Sequence, residues 1–345
     1  MIVVIIAGGS GTRLWPLSTP EFPKHLLKID GAEDSLLQST YKRARELSDK
    51  VYIVTENGHT YHVQEQLGDL PEDAFIIEPA RRGTAGCIIA ALSKISKTHD
   101  ADEPIAFMHA DHYIRDTVGF LHSLNSAAAA AQKTKKIVLI GIEPTYAATG
   151  FGYIKKGDVF DEEHLVFAVH SFREKPDHPT ALEYVNSGNY LWNGGFFVAS
   201  LNTFLEVMTE FAPDLLKNYQ ALAAATDAGI KDVYLGFENI AIDYALIEKV
   251  NNLLVMQSTF DWMDVGSFSD LHDAIGGDSH GNYTSGKVEL EEVTNSIVQN
   301  SEDKPVAVIG LDNIAVINTK DGLVVTRKDI SQKVGEVSKR LLNSN

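Results

Sequence analysis

In the first 140 residues, short β-branched runs alternate with stretches of helical period, and this alternation restricts the fold more than any other feature of the chain. The runs lie at 2–6, 51–55, 75–77, 105–108 and 137–142. Between them, Ser35 can cap a helix whose Leu36, Leu37, Tyr41, Ala44 and Leu47 share one face. Two Ala-rich stretches, 84–97 and 118–133, read as further helices. Strand, helix, strand at this spacing specifies an α/β domain: a mainly parallel central sheet with helices on both faces. Such sheets bind ligands beyond the carboxyl ends of their strands, so the chemistry is expected in the loops that follow them.

From 151 to 270 the pattern is mixed. Strands are expected at 166–172, 195–198 and 253–256, and helices at 180–187, 201–210, 213–225 and 241–250. This reads as the second half of the same domain. The turn-rich segment 276–282 reads as a linker or a long loop. Beyond it, short β-type runs at 287–290, 296–298, 306–309, 315–317 and 323–326 suggest a small β-helix-like segment. A final helix is expected after Asp329, with Val334, Val337 and Leu341 on one face. The expected division is 1–275 and 281–345. The β segment is small for independent stability, so it is expected to pack on the first domain or on another subunit, which points to a homodimer.

With 30 basic and 47 acidic residues the formal net charge of the 345-residue chain is −17. That field disfavours nucleic acid and anionic membrane as partners, and any phosphate must be met by a local site. The one cysteine, Cys87, permits no intrachain disulfide, fits a reducing compartment, and reads as core rather than nucleophile. The opening apolar run is too short for a signal peptide and no stretch approaches a membrane span, so a cytoplasmic protein is expected.

The first strand runs into Ala7, Gly8, Gly9, Ser10, Gly11, Thr12, Arg13, Leu14, Trp15 and Pro16. Glycines there let backbone amides face a phosphate, although a plain tight turn would use the same residues. The dinucleotide fingerprint is excluded by Leu14 and Pro16, and the Walker loop by Thr12 and Arg13 in place of its Lys and Ser/Thr. What remains is a glycine loop with Arg13 and, after Pro23, Lys24, two cations suited to a triphosphate. Asp111 directly follows a strand and can hold Mg²⁺, or cap the next helix, or join His109 and His112 on a transition metal. Asp264 is a second metal candidate or a solvated turn residue. Glu174 and Lys175 suit a sugar phosphate or a solvated turn. Asn193, before two glycines, suits a sugar hydroxyl or a turn.

Taken together and in order, AGGSGTRLWPLSTPEFPK at 7–24, EPARRGTA at 78–85, ADH at 110–112, FREKP at 172–176, WNGGFF at 192–197, IDYALIEK at 242–249 and WMDVGSF at 262–268 resemble the sugar-1-phosphate nucleotidyltransferases. The LWPLS variant resembles the branch that uses mannose 1-phosphate and GTP, in its short form without the isomerase extension. The resemblance implies a Rossmann-like nucleotidyltransferase domain, Mg²⁺ as cofactor, GTP and mannose 1-phosphate as substrates, and GDP-mannose and pyrophosphate as products. It implies that Ala7, Gly8, Gly9, Gly11, Thr12 and Arg13 hold the triphosphate, with Lys24 at the reacting phosphates. Asp111 and Asp264 would hold the metal. Glu78, Arg82 and Thr84 would lie on the nucleobase side. Gly152, Glu174 and Asn193 would hold the sugar, and Lys175 its phosphate. The pattern departs from the family at Gly83, where Asn is usual, and at His109, where Pro is usual. The alternatives are the same chemistry on another nucleotide or hexose 1-phosphate, and a weakly catalytic regulatory subunit that binds a sugar nucleotide.

Overall fold

The computed structural model describes residues 1–9, 11–29 and 32–342, so Ser10 of the glycine loop lies outside the described residues. Eleven helices occur among them: α1 Leu36–Leu47, α2 Thr60–Gln66, α3 Gly83–Ile95, α4 Thr117–Thr134, α5 His178–Ser187, α6 Leu201–Phe211, α7 Pro213–Ala224, α8 Ile230–Leu235, α9 Ile242–Ala245, α10 Phe268–Ile275 and α11 Val334–Leu342. The strands up to residue 264 are β1 Ile2–Ala7, β2 Val51–Glu56, β3 Phe75–Glu78, β4 Pro104–His109, β5 His112–Tyr113, β6 Val138–Ile142, β7 Tyr153–Asp161, β8 Val166–Arg173, β9 Tyr190–Ser200, β10 Leu254–Gln257 and β11 Met263–Asp264. Nine of them form one sheet in the order β3-β2-β1-β4-β9-β6-β10-β8-β7.

The sheet is parallel in its first half, where β1 pairs with β2 and β4, and β2 with β3. The second half is mixed. There β9 runs antiparallel between β4 and β6, and β7 and β8 pair antiparallel. The expectation of a mainly parallel sheet therefore needs correcting for this half. Only four residues join β7 to β8, too few for the crossover that parallel neighbours require. Strand β7 escapes the sequence pattern because Lys155, Lys156, Gly157 and Asp158 mask the periodicity, and only its first residues, 153–155, pair on both sides, with β8 and β9.

Every residue of β1 is buried, and alternate side chains go to opposite faces. Ile2, Val4 and Ile6 pack with α3, α6 and α7, whereas Val3, Ile5 and Ala7 pack with Leu37, Tyr41 and Ala44 of α1 and Phe120 and Leu124 of α4. The stretch 241–250 is not one helix: α9 ends at Ala245 and a 3-10 turn, Ile247–Lys249, follows.

The C-terminal segment holds β12 Tyr283–Ser285, β13 Val288–Glu291, β14 Ile297–Asn300, β15 Val306–Ile309, β16 Ile314–Thr319 and β17 Gly322–Arg327. Parallel pairing of β13 with β15 and of β14 with β16 sets Val288 opposite Val306 and Ile297 opposite Ala315, so two strands recur per coil of a β-helix. The last helix corrects the sequence reading. Val334, Gly335 and Ser338 are its buried residues, and Val337 and Leu341 face outward. Small residues form the inner face because a turn of the first domain approaches it too closely for larger ones. No helix among the described residues is long and apolar enough to cross a membrane.

Candidate active site

The glycine loop leaves β1 at its carboxyl end. Gly11 is left-handed (φ 58), and a Cβ built on it would lie 2.7 Å from the backbone nitrogen of Lys24, so both conformation and space demand glycine. The Ser18 hydroxyl donates to its carbonyl. A 3-10 turn, Thr12–Leu14, and a cis Trp15–Pro16 bond follow, in place of a continuous helix. Thr12 is buried and Arg13 exposed.

Lys24 stands on a second 3-10 turn with its side chain only 8% exposed. Its Nζ lies 2.5 Å from Oδ1 of Asp264 and 3.2 Å from Oδ2 of Asp111. The two carboxylates meet because β5 and β11 pair antiparallel, with Asp264 opposite His112, next in sequence to Asp111. Burial works to lower the Lys24 pKa, and the two carboxylates overcome it, so the value is raised. Burial likewise works to raise the Asp111 carboxyl, but Lys24, then His112 and His109, hold it well below the usual range. Asp264 is lowered in the same way, with Asp111 working against Lys24.

This cluster decides between the readings of Asp111. The cap of α4 is Asp116, whose side chain accepts from the Gly119 amide, so Asp111 is not the helix cap. Among the described residues, no three or more His, Cys, Asp or Glu converge on a point that could hold a metal, so His109, Asp111 and His112 do not form a three-ligand site. Burial lowers the His112 pKa to about 3, and its ring packs 5.2 Å from Trp262 and 5.5 Å from Phe196. Two carboxylates already share one cation, the Lys24 ammonium. That donor set fits Mg²⁺, which takes one or two carboxylates and completes its shell with water and phosphate oxygens.

Beside the loop lies a cavity of about 340 Å³, whose lining includes Gly8, Gly9, Glu78, Thr84, His109 and Asp111. Glu78, buried at the end of β3, accepts from the Tyr234 hydroxyl and, at 3.3 Å, from Cys87 Sγ. Burial raises its pKa against those hydrogen bonds. Cys87 is thus a buried core residue with its thiol on Glu78, and burial raises its pKa. Gly83 has φ 68, and a Cβ there would run into the Ile240 carbonyl. The segment around Ile240 packs so closely on α3 that the Ile242 amide donates to Thr84 Oγ1 at 2.8 Å. Arg82 lines the same cavity, but its guanidinium donates to the Leu235 carbonyl at 2.7 Å.

A second cluster of the residues singled out in the sequence lies along β9. Antiparallel pairing sets Asn193 opposite Gly141 near the carboxyl end of β6, so an antiparallel strand still delivers its residues to the functional edge. Gly152, Glu174, Lys175 and Asn193 come together here. The Asn193 amide N–H donates to the Gly152 carbonyl at 2.8 Å, and a Cβ on Gly152 would run into Glu174 Oε2. Lys175 Nζ lies 2.6 Å from Glu174 Oε1, whereas Oε2 is buried without a partner. Asn193 Nδ2 donates to Asp243 Oδ1 at 2.7 Å. Burial and then the nearby Glu174 charge push Asp243 up to about 6. Sequence reasoning assigned no role to Asp243, although it lies within the quoted stretch 242–249. Tyr234, which holds Glu78, carries no sequence signal at all.

Comparison with known proteins accords with this geometry. Residues 2–280 match the nucleotidyl transferase family, and residues 287–341 match the MannoseP isomerase/GMP-like beta-helix domain. Mannose-1-phosphate guanylyltransferase RfbM of Salmonella typhimurium is 33% identical over 97% of this chain and 71% of its own length. Alginate biosynthesis protein AlgA of Pseudomonas aeruginosa is 36% identical over 99% of this chain and 72% of its own. A crystal structure described as mannose-1-phosphate geranyltransferase from Thermus thermophilus superposes with a TM-score of 0.89 at 28% identity, covering 99% of both chains. Matched over most of its length, and related to these proteins over nearly all of it, the chain belongs to the nucleotidyl transferase family.

Proposed function

We propose that the protein transfers GMP from GTP to α-D-mannose 1-phosphate, forming GDP-mannose and pyrophosphate. The observation that carries this reading is the buried Lys24 ammonium between Asp111 and Asp264, at the mouth of a glycine loop. The substrates follow from the names of the relatives. Asp111 and Asp264 would hold Mg²⁺, which offsets charge on the α-phosphate and on the leaving pyrophosphate. An oxygen of the sugar phosphate attacks the α-phosphorus in line, and the bond to the β-phosphate oxygen breaks. No protein base is required, because a phosphate monoester with a second pKa near ~6 is already mostly dianionic at neutral pH.

The chain's own residues position and stabilise. Ala7, Gly8, Gly9, Gly11, Thr12 and Arg13 receive the triphosphate, and Lys24 meets the reacting phosphates. Glu78, Arg82 and Thr84 form the nucleobase side. Glu78 offers carboxylate lone pairs to the two adjacent N–H donors that guanine presents on one edge. Glu174 Oε2, an acceptor without a donor, and Asn193 take sugar hydroxyls beside Gly152, and Lys175 takes the sugar phosphate.

Pyrophosphate release in the presence of Mg²⁺ and mannose 1-phosphate, compared across GTP, ATP, UTP, CTP and dTTP, tests the reading. Sugar-dependent release with GTP is the expected result. A preference for another nucleotide would keep the chemistry and move the substrate. No release with any nucleotide and any hexose 1-phosphate, from folded protein, would overturn it.

A further inference from the structure

We infer that the C-terminal segment is a working part of the nucleotide site: Gly335 and Ser338 of α11 position Thr12 and Arg13. The inference rests on the proposed role of the glycine loop. Two parts of the segment hold that loop from outside. The fully buried Ser338 hydroxyl lies 3.1 Å from the Thr12 carbonyl and 3.1 Å from the Gly335 carbonyl one turn back, and shares its one hydrogen between them. A Cβ built on Gly335 would lie 2.9 Å from Arg13 Cγ and 3.5 Å from its Cα, so α11 sits directly on the Arg13 stem. Next along the loop, Gly322 of β17 touches the Trp15 ring, and Thr319 Oγ1 donates to the Pro16 carbonyl at 3.3 Å. One apolar cluster joins Leu14 and Trp15 to Ala315, Ile317 and Val334 of the segment and to Val265, the neighbour of Asp264.

The geometry orients two phosphate-binding groups. In a trans peptide the carbonyl and the following N–H point opposite ways. The Thr12 carbonyl accepts from the Trp15 N–H of its own turn at 3.3 Å and is capped from outside by Ser338, so the Arg13 N–H points away from α11, and among the described residues that N–H donates to nothing. The Arg13 side chain makes no ion pair among the described residues. Instead Gly335 lies on its stem and Gly266 against its guanidinium, where a Cβ would lie 3.2 Å from Nη1. Two glycines from distant parts of the chain fix a long cation without neutralising it. A phosphate then meets an ordered guanidinium, and binding it costs less side-chain freedom.

The test uses the full chain with Gly335→Ala, Ser338→Ala and, as a control on the outer face of α11, Val337→Ala. For the first two, the KM for GTP is expected to rise about five- to tenfold, with the KM for mannose 1-phosphate within about twofold, while Val337→Ala leaves both unchanged. In an Arg13→Ala background, Gly335→Ala is expected to add almost nothing, because its effect passes through Arg13. Equal changes in both KM values, a fall in Tm alone, or full additivity with Arg13→Ala would overturn the inference. If Arg13→Ala itself leaves GTP use unchanged, the loop's proposed role fails first and the inference with it. Should Gly335→Ala not fold, Ser338→Ala, which only deletes an oxygen, decides the matter.

Discussion

The two substrate sides of the cleft are built by different means. Around Lys24, the ammonium bonds to Asp264, 240 residues away in sequence, and to Asp111, so one cation offsets one of two carboxylate charges inside the protein. Around Asn193, the proposed sugar side, the partners are nearer in sequence, as with Glu174 and Lys175 or Asn193 and Asp243, and an acceptor, Glu174 Oε2, is left without a donor among the described residues. The first region is complete without ligand and must exchange partners when substrates arrive. The second waits for hydroxyl groups. Damage to the first should therefore reach both stability and chemistry, whereas damage to the second should reach sugar affinity alone.

The largest effect is expected from Lys24. Lys24→Met and Asp111→Asn should each lower turnover about 10²–10³-fold, the magnitude found when one charge-stabilising group is removed from a preorganised site. Near-normal turnover in both would break the comparison at its root. Lys24→Met also leaves two partly buried carboxylates facing each other, a change that costs about 3–5 kcal/mol when one partner of a buried pair is lost. Its pH dependence has a definite sign. In the wild type Asp111 and Asp264 have folded pKa values below 3.8, so their contribution is present above that value and is lost as pH falls through the folded values. In Lys24→Met the cation is gone, and burial with mutual repulsion raises at least one carboxyl. Asp243, raised in both proteins, adds some stability on acidification to each, so the variant should gain more thermal stability than the wild type between pH 7 and 5, and Mg²⁺ should raise its Tm by more than it raises that of the wild type. A Tm that falls on acidification would contradict this account of the cluster.

Next in size is Asn193→Ala. It removes a side chain whose Nδ2 donates to Asp243 Oδ1 at 2.7 Å and whose Oδ1 accepts from the Gly195 N–H at 3.2 Å, while the backbone bond to the Gly152 carbonyl stays. The neutral hydrogen bond it would make to a sugar hydroxyl is worth about 0.5–1.5 kcal/mol, so the KM for mannose 1-phosphate should rise roughly 2- to 13-fold with the KM for GTP unchanged. A parallel rise in both would show that the two sides are not separable.

The same contrast explains what could be read from the residues alone. Strands β1, β4 and β6 are legible because they are apolar apart from His109 at the end of β4, as strands covered on both faces must be. The glycine loop is legible because Pro16 and Leu14 exclude the better-known loops. The meeting of Lys24, Asp111 and Asp264 depends on a two-residue ladder between β5 and β11, which has no periodicity to detect. Helix α11 is legible through its apolar residues, yet Gly335 and Ser338, silent in any hydrophobic pattern, mark the inner face. Tyr234 meets Glu78 only because α8 packs over α3, a tertiary fact. Gly83 shows the reverse case: a departure from the family pattern that becomes intelligible once the Ile240 carbonyl is seen against it.

The smallest expected effect would sharpen the comparison most. Asp243 accepts from Asn193, and burial followed by the Glu174 charge raises its folded pKa to about 6, with Lys175 working in the opposite direction. A raised carboxyl pKa means that the folded protein binds a proton more tightly than the unfolded chain, so this group stabilises at low pH and loses that contribution as pH climbs from about 4 to 6. For binding the sign is opposite. Below about 6 Asp243 becomes neutral, its acceptor strength falls, and Asn193 is held less firmly. The KM for mannose 1-phosphate should therefore rise a few-fold between pH 7 and 5.5. The sugar phosphate also titrates near ~6, so the wild-type profile contains both events. Asp243→Asn separates them: the substrate's own titration remains and the enzyme's part disappears, leaving a shallower profile. Superimposable profiles for the two proteins would show that the Asn193 orientation does not depend on the Asp243 charge. The sugar side would then be as self-contained as the Lys24 cluster.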